Sequence, residues 1–449
     1  MKTYYMVIDV FPIRKNEHFE LIKSAQANCW IIENDPHSAF AKASFHISRD
    51  DFKIIKIDML PVVVTKEDFL DRDIGLEQYI KAQDNGIAIF YVACARDRKI
   101  SQSFITIKPS YKFNYGGFLQ KHKQLKNSGR CLHYDGNSTC KEIINAHSIQ
   151  KNQMLSMIAE NGHVYMLSVN KDSSNNYKPM LSYKKFGINK SSTFLGFCKK
   201  HDNELFQDID NFFLRPTHKQ VFLYAYRSLC REFFVKSNSL NLLDNQIQAT
   251  YDNEAIRNLF TDMKLGTSHG FEDLKKHKSM YDALLQEKSY NDIKYVLFIS
   301  KQKPNLALSG LFYPDFDFMG NYLQDLGDTS IELQLIAVCS APLETGWGLL
   351  FAWHKSSSNV CVDFMRSLAT VVHDGKKLND LLFRFAINFE NLAISPRWWE
   401  PLSTFHKEQI ISYTSLTADV LSLTQPSYLT EGLEGIIDWE FYKVISHMD

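Results

Sequence analysis

Cys131-Leu-His-Tyr-Asp-Gly-Asn-Ser-Thr-Cys140 opens the stretch that decides how this chain is read. The apolar run Glu142-Ile-Ile-Asn-Ala146 follows and ends in His147-Ser-Ile-Gln-Lys-Asn152. A second strand-like run, His163-Val-Tyr-Met-Leu167, precedes residues 169–193, rich in Asn, Ser and Lys and read as an exposed insertion. Phe197-Cys198-Lys-Lys-His201-Asp202-Asn203 then starts a helix. Zinc takes thiolate and imidazole in a tetrahedron, supplied as two ligand pairs. One helical turn brings Cys198 and His201 to one point. Cys131 and Cys140 form the other pair, across a loop longer than usual that Gly136 and Asn137 let turn back. The expectation is a structural zinc on Cys131, Cys140, Cys198 and His201, stapling a strand–strand–helix unit. The plainer alternative is two buried cysteines and an unrelated Cys-x-x-His.

Working outward, 449 residues are long for one domain, so several units are expected. A hydrophobic content of 45% secures a core, and the balance of 51 Lys+Arg against 51 Asp+Glu names no partner. Eight cysteines in a chain this size do not read as a secreted disulfide framework. Cys29, Cys94, Cys230, Cys339 and Cys361 sit among apolar residues as buried thiols, which leaves Cys131, Cys140 and Cys198 as the unusual ones. No signal-peptide layout opens the chain, and no apolar run approaches the roughly 18 residues of a membrane span. A cytoplasmic protein with no membrane partner is expected.

Residues 1–95 alternate strands (Thr3–Val10, Cys29–Glu33, Phe52–Val64, Ile87–Cys94) with helices after Asp35-Pro36 and over Gly75–Ala82. That pattern predicts a small α+β domain of ferredoxin-like kind. Residues 96–130 carry nine cations against Asp97, a net +8, with Phe104, Tyr111, Phe113, Tyr115 and Phe118 interleaved. Such a basic aromatic linker suits a nucleic-acid strand, cations on phosphates and rings on bases; a solvated linker is the alternative. The zinc module occupies 131–214. Residues 215–449 predict a C-terminal α+β domain. Its helices lie at 220–236, near 252–264 and 271–287, and near 359–373 and 377–391. A four-stranded antiparallel meander is expected from Tyr295–Lys301, Leu306–Tyr313, Ile331–Cys339 and Trp347–His354, with Trp398 and Trp399 as packing anchors. No phosphate loop, dinucleotide fingerprint or nucleophile elbow occurs.

The module resembles the HNH, or ββα-metal, nucleases in their zinc-stapled, treble-clef form. The matching residues are Cys131 and Cys140, then Ile143-Ile-Asn-Ala-His147, then Cys198-Lys-Lys-His201-Asp202, about 75 of 449 residues. More loosely, the chain resembles uncharacterised bacterial HNH-like proteins, some of them in anti-phage systems. The resemblance implies a metal-dependent endonuclease acting on DNA or RNA. His147 would be the general base, Asp202 the ligand of a catalytic Mg²⁺ or Mn²⁺, and Asn152 an orienting residue; His163 could add a ligand. Two departures matter: Ala146 stands where the family has Asp or His, and Asp202 where it has His. The alternative is a non-catalytic subunit whose zinc is structural and which binds nucleic acid or protein.

Overall fold

The computed structural model describes residues 1–13, 16, 22–70, 73–95, 115–136, 140–170, 180–250, 254–328, 330–418 and 426–448. Most of the basic linker, 96–114, therefore lies outside the described residues. The chain is mixed α+β, and its described strands pair antiparallel. It divides into two compact units, one of residues 1–102, 319–322 and 412–432, the other of 103–318, 323–411 and 433–449.

The first unit holds β1 (Lys2–Pro12), β2 (Ile22–Glu33), α1 (Pro36–Arg49), β3 (Phe52–Val64), α2 (Asp73–Asn85) and β4 (Ile87–Ala95). Asp35 caps α1 by accepting from the backbone N–H groups of His37 and Ser38, and Pro36 fills the first turn, as the sequence predicts. The sheet order is β3-β1-β2-β4. Tyr4, Met6, Ile8 and Val10 alternate inward beneath Ala39, Ala43 and Ile47 of α1. Tyr5 and Trp30, of opposite parity, pack with Phe69 of the turn Lys66–Phe69 and with Ala82 of α2. The helices thus lie on opposite faces, and the element order is ββαβαβ. Both features depart from the ferredoxin-like order βαββαβ.

The second unit is built on an eight-stranded sheet. It begins with α3 (Tyr115–Lys126), β5 (Ile143–His147), the turn α4 (Ser156–Ile158), β6 (His163–Asn170), β7 (Met180–Gly187), β8 (Thr193–Cys198) and α5 (Lys199–Asp210). Two long helices follow, α6 (His218–Ala249) and α7 (Glu254–Glu287), then β9 (Ile293–Ser300), β10 (Leu306–Phe312), β11 (Ile336–Leu343) and β12 (Gly346–His354). The last elements are α8 (Ser358–His373), α9 (Leu378–Ala386), β13 (Leu392–Ile394), α10 (Pro396–Trp399), α11 (Thr404–Ala418, continuing into the first unit) and β14 (Lys443–His447).

The sheet order, β14-β9-β12-β11-β10-β13-β6-β7, corrects several expectations. The four predicted strands form no sequential meander, because β9 pairs with β12. Gly346, at φ +97°, turns β11 into β12 so close to β9 that a Cβ there would meet the Ser300 carbonyl oxygen at 2.0 Å. The polar insertion supplies β7, which pairs with β6 along its length. Those two strands join the large sheet through β13, where buried Trp399 packs on Tyr183 at 4.9 Å. The helices predicted near 252–264 and 271–287 are one helix, α7, which runs through Gly266 and Gly270. The helix predicted over 377–391 stops at Ala386.

α6 packs against β9, β10, β11 and β12, and Gln220 to Cys230 are buried without a break. The helix predicted over 220–236 is thus buried on all sides from Gln220 to Cys230 and runs on to Ala249. β5 and β8, paired across the β6–β7 excursion, form a separate two-stranded sheet tied to the large one by polar side chains. Asn391, 2% exposed, donates to Ser148 Oγ and to the Ser309 carbonyl, both at 2.8 Å. Ser148 Oγ in turn meets Ser192 Oγ at 2.7 Å, and Ser192 Oγ accepts from the Ile149 N–H. Removing the amide leaves buried groups unsatisfied, which costs about 1–3 kcal/mol. Asn391→Ala is therefore expected to lower the stability of this unit by about 2 kcal/mol in denaturant melts, and unchanged stability would show that the tie is dispensable.

Candidate functional site

The strand pairing places the site. Ile143 of β5 lies opposite Cys198, and His147 opposite Thr193. The second strand of the ββα unit is therefore β8, while the run at 163–167, expected to face β5, belongs to the large sheet. Cys198 ends β8 and caps α5, its sulfur accepting from the His201 N–H at 3.5 Å. Cys131 and Cys140 come from the preceding loop. Gly136 permits its turn, since a Cβ there would lie 2.6 Å from the Cys131 carbonyl oxygen.

These elements bring Cys131, Cys140, Cys198 and His201 together, with one ligand atom of each within 4.8 Å of the others. The three sulfurs stand 3.3, 3.5 and 3.4 Å from His201 Nδ1. Metal–sulfur and metal–nitrogen bonds of about 2.3 and 2.0 Å in a tetrahedron separate such atoms by about 3.5 Å. This Cys3His group could hold a metal ion such as zinc. Burial first, with Cys198 and Cys140 adding and backbone hydrogen bonds opposing, pushes the Cys131 thiol up to about 11, and a bound cation would override this because the thiolate is the coordinating form. His133 completes the shell. Its ring stacks on His201 at 4.2 Å and 11°. Burial first, and His201 second, push its imidazole down to about 4. Sequence reasoning missed this residue, although a histidine two positions after the first ligand was a signal.

His147 lies at the other end of the β5–β8 pair, about 13 Å from the Cys198 end at 3.3 Å per residue. Its Nε2 is 2.9 Å from the Ile188 carbonyl oxygen. A carbonyl can only accept, so Nε2 carries the proton and Nδ1 is left with its lone pair. The ring is half-buried, and burial, helped by Lys151 and Arg227, holds its basicity below the ordinary imidazole value, against the pull of the Ile188 bond and Asp210. Neutral His147 is thus the prevailing form near pH 7.

The other predicted residues fall into place unevenly. Asn152 is exposed and makes no hydrogen bond to His147; the Ile188 carbonyl orients the ring instead. His163 is exposed and turns its Nδ1 to the Asn161 carbonyl, 2.7 Å away. Asp202 sits in the first turn of α5, next to His201, and is not hydrogen-bonded to His147. Its Oδ1 is enclosed with no hydrogen-bond partner, and burial raises its carboxyl above the ordinary range, with Asp210 adding and Arg227 opposing. The carboxylate that influences His147 is Asp210, at the far end of the same helix. Asp210 accepts two hydrogen bonds from Arg227, at 2.8 and 2.6 Å. Arg227, with a side chain 2% exposed, also lies over the Phe206 ring at 4.1 Å. Burial works against its charge, and Asp210 more than offsets that. An arginine inside an apolar helical run was the legible sign of this pair.

No family model, curated protein or solved structure matches this chain. Among the described residues, the Cys3His group is the one cluster suited to a metal ion, and no helix is long and apolar enough to cross a membrane. Protein purified without chelator is expected to carry one zinc per chain. Cys198→Ala should lose the metal and much of the stability, since a structural site contributes folding energy directly. Elemental analysis paired with thermal melts checks this, and a full melt at zero metal content would reject the site.

Proposed function

We propose that the ββα unit is a zinc-stapled nucleic-acid module in which His147 is the general base for phosphodiester hydrolysis. The observation that carries this reading is the hydrogen bond from His147 Nε2–H to the Ile188 carbonyl. It selects the tautomer whose Nδ1 can take a proton from an attacking water, and the lowered basicity keeps that nitrogen free near neutral pH. Zinc on Cys131, Cys140, Cys198 and His201 would hold β8, α5 and the 131–140 loop in register. The enclosed, unpartnered Oδ1 of Asp202 fits a cation in part, so Asp202 would hold Mg²⁺ or Mn²⁺. When bound, such an ion supplies positive charge to the phosphate. Exposed Asn152 would then meet substrate rather than the imidazole.

The second reading, a non-catalytic binding subunit, is favoured by one observation. The Arg227 guanidinium already lies within electrostatic reach of Asp202 and competes with a divalent ion for it. Nicking of supercoiled plasmid and cleavage of single strands with each metal, alongside a chelator control, separate the two. His147→Ala should reduce cleavage about 10²–10⁴-fold with zinc content unchanged. The rate should fall on the acid side with a midpoint below about 6.5, the ordinary imidazole value, because the base is lost as pH drops through its lowered pKa. Asp202→Ala should lose activity partly recoverable at high metal concentration. Activity that survives both substitutions would place the chemistry elsewhere.

The basic linker remains the proposed backbone contact. Lys123 and Lys126 on α3 are exposed, and Lys121 is half-exposed. Replacing Lys121, Lys123 and Lys126 with Glu should weaken nucleic-acid binding across sequences and flatten its salt dependence, through lost counterion release. Binding equal to the parent's in a salt titration would reduce the segment to a connector.

A further inference from the structure

A cleft of about 750 Å³ opens where α5 ends, within the size range of ligand sites. Its lining reaches the segment that follows His147 through Gln153. Gln153, which lines it, bonds Gln150, and Gln150 also donates to the Ile209 carbonyl at 2.6 Å. The cleft presents three large aromatic rings to solvent: Phe212, 60% exposed, Phe213, 39%, and Tyr442, 54%. The loop that carries the two phenylalanines is pinned. Leu214 N–H donates to the Pro342 carbonyl at 2.8 Å, Arg215 N–H to Gln220 Oε1 at 2.8 Å, and Gln220 Nε2 to the Asp208 carbonyl at 2.9 Å. The rings are therefore held outward by a hydrogen-bonded backbone, not left there by a frayed one.

The charges beside these rings are uneven. Lys219 pairs with Asp208 at 2.5 Å, and Lys301 lies 4.7 Å over the Tyr442 ring. Arg215 is exposed and makes no ion pair among the described residues. Rigid exposed rings with a spare guanidinium are what a flexible polynucleotide needs: flat faces for unpaired bases and a fork for a phosphate. Two carboxylates on the lining oppose a phosphate there: exposed Glu344, and Asp208, which Lys219 offsets.

We infer that this cleft is a site for single-stranded nucleic acid, with Phe212, Phe213 and Tyr442 stacking on bases and Arg215 holding a phosphate. The inference deepens the nucleic-acid reading of the His147 module by naming an unpaired strand as its substrate class. Stacking needs bases free of a duplex, so a duplex cannot use the rings.

The test is fluorescence anisotropy with labelled fifteen-nucleotide dT and U oligomers and a duplex of equal length, on full-length protein with its metal. Phe212→Ala and Tyr442→Ala should each weaken single-strand binding roughly tenfold. Arg215→Glu should weaken it and lower its salt slope, and Glu344→Gln should strengthen it. The oligomer that binds tighter tells DNA from RNA. The rings are exposed, so these variants should fold, and circular dichroism with metal content verifies that. His147→Ala should bind like the parent; ring-dependent binding without any cleavage would then sink the general-base reading and leave this one standing. The inference is overturned if the ring variants bind like the parent, if the duplex binds as tightly with the same ring dependence, or if no oligomer binds. It is also overturned if sedimentation shows a dimer that Phe212→Ala disperses, which would assign the rings to a second copy of the chain.

Discussion

A guanidinium buried to 2% exposure is the constraint on which the second unit turns. Taking an unpaired charge out of water costs several kcal/mol, and Arg227 avoids this through the bidentate pair with Asp210 and the Phe206 ring beneath it. Asp210 closes α5, and Arg227 lies in the fully buried part of α6. The pair therefore locks the helix that carries Cys198 and His201 to the helix that underlies the large sheet. Phe197, Phe206 and Ile209 share one core with Leu297 and Leu350. The ββα unit is consequently not a free-standing finger, and its small two-stranded sheet takes its rigidity from a core much larger than itself.

This arrangement sets two groups at opposite ends of the β5–β8 pair. The Cys3His group sits where β8 passes into α5, and His147 sits at the opposite end, beside Ser148 and its ties to Ser192 and Asn391. Arg227 and Asp210 act electrostatically on both Asp202 and His147. α6 and α7 are joined by a second polar cluster, in which Lys278 Nζ reaches Asp282 at 2.6 Å and the Tyr226 hydroxyl at 3.1 Å. Arg227 with Asp210 and Lys278 with Asp282 are thus paired inside this core, which helps fix the registers of α5, α6 and α7.

The ligand set was legible because its signal is short-range. A Cys-x-x-His at a helix start needs only one turn of backbone to converge, and Gly136 marks the tight loop that returns Cys131 to it. The shell around those ligands was not legible in the same way. The partner of His147 is a backbone carbonyl at Ile188, which no side-chain motif can announce. Asn391 stands 243 positions from Ser148, too far for any local pattern. Residues 252–264 and 271–287 read as two helices, yet α7 continues through Gly266 and Gly270, because packing against α6 outweighs about 1 kcal/mol of lost propensity at each.

The sequence by itself determined the elements and the local chemistry: capped helices, alternating strands, a Cys3His set and a histidine ending a strand. These follow from spacings within a few residues, where backbone geometry leaves few alternatives. Tertiary structure alone decided which strands are neighbours, so that β9 lies beside β12 and the polar insertion yields the edge strand β7. It also decided that α1 and α2 take opposite faces of the first sheet. It brought Asp210, rather than Asp202, into reach of His147. A strand's partner is chosen by how both of its faces are buried at once, and that balance is settled only when segments distant in the chain compete for the same core.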